Sequence, residues 1–246
     1  MLESDKLPPP PFIESAGWQG PREGYAFKSG DLGLGYYLQP GDREYLFEAG
    51  TVTFSIETPR AQIYARTWPA GRFLARALCE GVSIMPSICG KRVCEVGTGT
   101  GLVSIAASRC GAASVLATDL PEAMELVQRN LKRTLSSTAG KIAARPLVWG
   151  QPATEVGPCD VVLLADCTYD RPLLEPLCMS LTSLAGAEGC TLILAHSCVH
   201  SVSPSESLET LAGKGYGLPR SEQLQHEGVD ILVAIFWISG FHQEKH

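Results

Sequence analysis

Val93-Cys94-Glu95-Val96-Gly97-Thr98-Gly99-Thr100-Gly101 decides the fold. Its first four residues read as a buried strand carrying an acid near its end. A glycine-rich turn follows, and Leu102 to Cys110 reads as a helix. Eighteen residues past Gly101, a second apolar run, Val115-Leu116-Ala117-Thr118, ends in Asp119. Strand, tight glycine turn, helix and a second strand ending in an acid make one half of a nucleoside-binding α/β fold. Glycine has no Cβ, so the backbone at Gly97 and Gly99 can approach a ligand closely. The Asp119 carboxylate can accept hydrogen bonds from both hydroxyls of a ribose.

The spacing separates one nucleoside from another. The dinucleotide fingerprint is G-x-G-x-x-G, whose third glycine packs a helix aimed at a pyrophosphate. Here the third glycine comes one residue early, and Leu102 stands where the dehydrogenase glycine would be. Glu95 lies two residues before the first glycine. Its carboxylate would repel a pyrophosphate but not a positively charged ligand. S-adenosylmethionine carries a ribose, a sulfonium and an ammonium, and no phosphate. E-x-G-x-G-x-G followed by strand-Asp resembles the first two motifs of the seven-strand, S-adenosylmethionine-dependent methyltransferases.

Composition narrows the class further. A chain of 246 residues suits one α/β domain with an extension. Hydrophobic residues make up 45% and charged residues 19%, the balance of a globular protein with ample core. A formal charge of −6 argues against a broad basic nucleic-acid footprint, so no nucleic-acid partner is expected. Nine cysteines include no C-x-x-C pair, which removes zinc-ribbon and thioredoxin readings. The few histidines give a metal site little to build on, so no metal is expected. No secretory signal and no membrane-length apolar run is visible, and the cysteines read as reduced. The expectation is a protein of the cytoplasm or nucleus, without a membrane partner and compatible with a monomer.

From Trp68 onward the chain alternates between strand and helix patterns. Helices are expected over Pro69–Glu80, Pro121–Leu135, Pro172–Leu184 and Pro204–Leu211. Strands are expected over Lys91–Val96, Ser114–Thr118, Ala144–Trp149, Asp160–Ala165, Thr191–Ala195 and Val229–Ile238. This is a doubly covered, mostly parallel sheet, whose ligands sit beyond the carboxyl ends of the strands. Upstream, Arg43–Phe47 and Thr51–Ile56 read as short strands, while Gly33-Leu34-Gly35-Tyr36-Tyr37 reads as a turn. The expected division is a flexible proline-rich tail over residues 1–20, a β extension over 21–64 and the catalytic domain over 65–246. The proline run Pro8-Pro9-Pro10-Pro11 reads as a solvated tail.

Five motifs occur in order: Thr67-Trp68, Glu95 to Leu102, Thr118-Asp119-Leu120-Pro121, Val148-Trp149-Gly150 and Ala165-Asp166-Cys167-Thr168-Tyr169. Together they resemble the family-16 (METTL21-like) protein-lysine methyltransferases, over about residues 65 to 200. The resemblance implies a Rossmann-like seven-strand α/β fold, S-adenosylmethionine as cofactor and a protein substrate methylated on lysine. It also implies roles. Trp68 covers the cofactor, Gly97, Thr98 and Gly99 form the turn beneath it, and Glu95 lies near its ammonium. Asp119 binds the ribose, Trp149 stacks near the adenine, and Ala165 lines the pocket. Asp166 and Tyr169 border the access for the target amine and are the catalytic candidates.

Alternatives stay open on the residues alone. The acceptor could be histidine, a small molecule or RNA, although Asp-x-x-Tyr replaces the Asn-Pro-Pro-Tyr of base methylation. A non-catalytic binding module of the same fold is the reading from another class. Ala195-His196-Ser197-Cys198-Val199-His200 departs from the arginine-containing stretch common after strand five of the family, and its histidines read as structural.

Overall fold

The computed structural model describes residues 12–17, 19, 25–30, 33–38, 43–59, 63–134, 141–151, 156–186 and 188–239. The proline run at residues 8–11 lies outside the described residues. Within the stretch read as a tail, Phe12–Glu14 forms a strand, β1. It pairs antiparallel with β3 (Gly33–Leu38), which also pairs with β2 (Tyr25–Gly30). The Gly33–Tyr37 stretch is therefore the middle strand of a three-stranded sheet and not a turn. Its glycines mislead because ladder hydrogen bonds on both sides override their weak strand preference.

A hairpin follows, β4 (Arg43–Ala49) and β5 (Val52–Thr58). Phe47, Ala49, Phe54 and Ile56 alternate onto one face and enter the main core. One polar residue fixes the hairpin against the glycine turn. Asn130, fully buried, accepts from the Glu57 N–H at 2.7 Å. Its amide donates to the Glu57 carbonyl at 3.0 Å and to the Thr100 carbonyl at 2.8 Å. Arg129 and Arg133 add ion pairs to the Glu57 carboxylate.

The main sheet has seven strands: β6 (Arg92–Val96), β7 (Ser114–Asp119), β8 (Lys141–Pro146), β9 (Val161–Ala165), β10 (Cys190–Ser197), β11 (Arg220–His226) and β12 (Val229–Ile238). Their order across the sheet is β11-β12-β10-β9-β6-β7-β8. The pairs from β8 to β10 are parallel, and β12 runs antiparallel to both its neighbours. Among the described residues five α-helices flank it: α1 (Pro69–Glu80), α2 (Leu102–Arg109), α3 (Met124–Thr134), α4 (Arg171–Leu184) and α5 (Pro204–Leu211).

Side-chain alternation divides the interior in two. Val161 and Leu163 of β9 join Val93, Val115, Ile193 and Val233 under α1, α2 and α3. Val162 and Leu164 join Val96, Leu192, Leu194 and Phe236 under α4 and α5. A strand buried on both faces needs an unbroken apolar run, which is what Val161-Val162-Leu163-Leu164 supplies. The chain reverses direction across the sheet between β6 and β9, and such a switch point opens a crevice at the strand ends.

Two strands of the main sheet also depart from the sequence expectation. The third core strand spans Lys141–Pro146, so Trp149 lies beyond it in a turn closed by the Gln151 N–H donating to the Val148 carbonyl. The apolar run Leu147-Val148-Trp149 is buried by the cavity wall, not by the sheet, which is why hydropathy alone misplaces it. Strand β11 carried no sequence signal. It is an edge strand whose residues are mostly exposed, so Arg-Ser-Glu-Gln-Leu-Gln-His shows no apolar alternation.

Replacing Asn130 by alanine should lower unfolding stability by about 1–3 kcal/mol, because the buried Thr100 carbonyl and the part-buried Glu57 N–H and carbonyl lose their partner. Denaturant titration measures this. A change under about 0.5 kcal/mol would show that water replaces the amide without cost.

Candidate active site at the strand ends

The glycine turn is pinned to the neighbouring strand by its backbone. The N–H groups of Gly97 and Thr98 both donate to the Thr118 carbonyl at 2.9 Å, and the Gly99 N–H donates to Asp119 Oδ2 at 2.7 Å. Gly97 and Gly99 adopt φ of 73° and 57°, the left-handed region that side chains avoid. A Cβ on Gly97 would stand 2.7 Å from Cys167 Sγ, and one on Gly99 would stand 2.8 Å from the Tyr64 carbonyl. The turn therefore fits only as glycine, with its backbone laid against a cavity.

That cavity has a volume of about 280 Å³, near the low end for a small-molecule site. Of the residues named from sequence, Trp68, Gly97, Gly99, Asp119, Trp149, Ala165, Asp166 and Tyr169 line it. They come from the loop before α1, the ends of β6, β7 and β9, and the turn after β8. Asp119 Oδ1 also accepts from the Leu120 N–H at 2.8 Å. Burial pushes the Asp119 carboxyl above the usual range, against the pull of its two backbone donors.

Glu95 and Thr98 do not line the cavity. Glu95 is 2% exposed, and its Oε2 accepts from Thr98 Oγ1 at 2.6 Å and from Ser104 Oγ at the start of α2. The expected contact of Glu95 with a cofactor ammonium is thus replaced by a brace behind the turn, and Thr98 points inward as its partner. An acid two residues before the first glycine has its side chain on the helix side of β6. The sequence gives the spacing but not that direction. Burial raises the Glu95 carboxyl to about 7, although its two hydroxyl donors oppose the shift.

Asp166 reaches the cavity wall with its carboxylate already engaged. Oδ2 accepts from the Ala70 N–H at 3.0 Å, in the first turn of α1. Oδ1 accepts from the Ser197 N–H at 2.8 Å and Ser197 Oγ at 2.7 Å, and His200 Nε2 lies 3.0 Å away. Burial acts to raise the Asp166 carboxyl, but the His200 ring beside it and the bonds from Ser197 outweigh it and hold it below the usual range. Its backbone is left-handed at φ 55°, strained for a residue with a side chain. This geometry does not suit Asp166 to grip a target amine directly; it suits a tie between α1, β10 and His200. Tyr169, 37% exposed, stands beyond it at the rim.

Of the seven further residues that line the cavity, Tyr64, Cys167 and His200 carry polar or aromatic groups that had no individual reading in the sequence as ligands. Tyr64 arrives from a short 3-10 turn (Ile63–Ala65), Cys167 from the residue after Asp166, and His200 from the loop after β10. Cys167 is buried with its thiol raised by desolvation, donating to the Val96 carbonyl at 3.0 Å. His196 has the structural role expected of it. It is buried, with Nδ1 3.0 Å from Thr168 Oγ1 and Nε2 3.0 Å from the Val202 carbonyl.

The Glu95 brace makes stability depend on pH. Its folded value lies above that of the unfolded chain, so its contribution is full below about pH 4.5 and is lost as pH rises through about 7. The total is about 3 kcal/mol. The ligand-free protein should melt several degrees lower at pH 8 than at pH 6. Glu95→Gln keeps an acceptor for the two hydroxyls and should flatten that slope. Equal slopes in both proteins, read by calorimetry, would remove the assignment.

Comparison with known proteins places this geometry. Curated relatives include a protein-lysine methyltransferase, METTL21E of Bos taurus, 36% identical over 126 residues, covering 49% of this chain and 43% of the relative. The EEF1A lysine methyltransferase 3 of Mus musculus is 36% identical over 138 residues, covering 55% of this chain and 56% of the relative. The chain spans about half the length of the curated relatives it matches first. Among solved structures, a candidate S-adenosylmethionine-dependent methyltransferase from Streptococcus mutans shares the fold, with TM-score 0.54 at 14% identity, over 83% of this chain and 58% of that one. The sheet is thus the Rossmann-like sheet of the methyltransferases. The lysine methyltransferase family matches residues 51–207, well over half of the chain, and the chain belongs to that family.

Proposed function

We propose that this chain binds S-adenosylmethionine in the cavity at the strand ends and methylates a lysine side chain of a protein substrate. The observation that carries the reading is the charge of the wall. Asp119 and Asp166 line the cavity, and no lysine or arginine does so among the described residues. Such a wall rejects phosphate-bearing nucleotides and favours a ribose joined to a cationic tail. The family and the names of its members support lysine as the acceptor.

The residues present fit that cofactor. Asp119 uses one lone pair of each oxygen on the backbone and keeps the others for ribose hydroxyls. The Gly97–Gly99 backbone gives the close approach that a Cβ would deny. Trp68, Trp149 and Tyr64 supply aromatic faces for adenine and the methionine arm. When bound, the cofactor supplies an electrophilic methyl group on a sulfonium.

The chain's own task is to bring a neutral amine to that carbon. Free lysine titrates near 10.4, so the target arrives as an ammonium. The half-exposed ring of Tyr169 offers a face that accepts a cationic nitrogen and its stem. Desolvation in the cavity lowers the ammonium's hold on its proton. Alignment in a confined slot supplies much of the acceleration.

Cell extract incubated with the protein and radiolabelled cofactor should show label in a discrete protein, on lysine by mass spectrometry. Label confined to nucleic acid, small molecules or histidine would overturn the acceptor, and no label at all would overturn the enzyme. Asp119→Ala should weaken S-adenosylmethionine binding at least about tenfold by calorimetry, since charge-assisted bonds to the ribose are lost. Unchanged affinity in a variant that still melts cooperatively would remove the ribose assignment.

A further inference from the structure

His200 lines the cavity but has no part in the cofactor contacts assigned above. It hangs from the loop after β10, with its side chain 12% exposed. Its ring centroid lies 5.5 Å from that of Trp68 and 6.1 Å from that of Tyr169, the rim residue on the acceptor side. The carboxylate of Asp166 is 3.0 Å from Nε2. No aligned hydrogen bond joins them, but the negative charge beside that edge of the ring favours a hydrogen on Nε2 over a lone pair. In the neutral ring, Nδ1 then carries the free lone pair. His196, 5.6 Å away, is the contrasting case, because both its nitrogens are spent on Thr168 and Val202.

Asp166 cannot take this part itself. Oδ1 is filled by the two Ser197 donors, Oδ2 is partly committed to Ala70, and the carboxyl is held below the usual range, which makes it a poor proton acceptor. What a buried carboxylate so placed does well is orient an imidazole and stabilise the imidazolium it becomes. The titratable groups packed around the His200 ring are Asp166 from the end of β9, Tyr169 from the loop that follows, and His196 from β10.

We propose that His200 accepts the proton of the target lysine ammonium, with Asp166 as the positioning residue behind it. The inference rests on the lysine reading above and deepens it. The ammonium N–H bond breaks, the proton passes to Nδ1, and the electron pair stays on the amine nitrogen as the nucleophile. The imidazolium returns the proton to solvent after transfer. His200 is then a catalytic residue of the acceptor half of the site, and the Asp-x-x-Tyr motif supplies its support and its aromatic neighbour.

Three measurements on the full chain test it. His200→Ala should bind S-adenosylhomocysteine within about twofold of wild type by calorimetry, yet lose about 100-fold in transfer to lysine at pH 7. Its rate should climb more steeply toward pH 10, where solution supplies the neutral amine, and added imidazole should restore part of it at pH 7. His200→Gln keeps a donor toward Asp166 and guards against misfolding; it should show the same loss without rescue, since the amide fills the space. Nitrogen NMR of histidine-labelled protein, with no cofactor present, should find His200 protonated on Nε2, and Asp166→Asn should mix the tautomers. A His200→Ala rate equal to wild type overturns the inference and leaves lysine methylation standing. So does a loss with an unchanged pH profile and no imidazole rescue, which marks a merely structural ring. Wild-type label on a non-lysine acceptor overturns both readings together.

Discussion

The carboxylate of Asp166 holds the cavity end of the molecule together. Helix α1 begins at Pro69 with Trp68 in the capping position, and Trp68 offers no side-chain cap. The first-turn N–H groups of a helix need partners, and Asp166 supplies one to Ala70 from across the sheet, where the helix dipole also favours a negative charge. The same group closes the end of β10 through Ser197. Burying a carboxylate is costly unless donors surround it, and removing one donor leaves that cost exposed. Trp68 stands one residue before the helix so tied, Tyr169 three residues after Asp166, and the His200 ring lies 3.0 Å from the carboxylate. The left-handed backbone at Asp166 is the strain it sustains.

Two other acids show how environment assigns roles to identical chemistry. Glu95 and Asp119 end neighbouring parallel strands, β6 and β7. Asp119 turns into the cavity and takes its donors from backbone, which leaves lone pairs for a ligand. Glu95 turns behind the glycines and is filled by two hydroxyls. Glu95 therefore sits away from the cavity wall, so it is not the acid that would meet a pyrophosphate there. The acids on that wall are Asp119 and Asp166.

The parts of the fold legible in the sequence are those where burial writes a pattern. Val161 to Leu164 is apolar throughout because both its faces are covered, and the β6–turn–α2–β7 unit is contiguous, so spacing alone reveals it. Strand β11 is invisible because neither face is buried, and β3 is masked by two glycines that its ladder partners tolerate. The same rule governs the site. Gly97, Gly99 and Asp119 are legible because their geometry follows from local chain direction. His200 is not, because nothing in His-Ser-Cys-Val-His states that its last ring meets the end of β9. The departure of this stretch from the family pattern is the only signal that could have drawn attention to it.

The two halves of the cavity are consequently built under different constraints. The cofactor half is backbone and strand ends, locked by the turn, by Asn130 and by the Glu95 brace, so it tolerates little change. The proposed acceptor side is Tyr169 and His200, side chains carried by loops whose sequences can change at small cost to the sheet. A shared sheet can therefore serve unlike acceptors, and the sheet does not by itself choose among them. In this chain the loop residues supply an aromatic rim and an imidazole backed by a buried carboxylate. Those are the groups that an amine arriving as a cation and leaving as a nucleophile requires: a face that tolerates its charge, and a base that removes its proton.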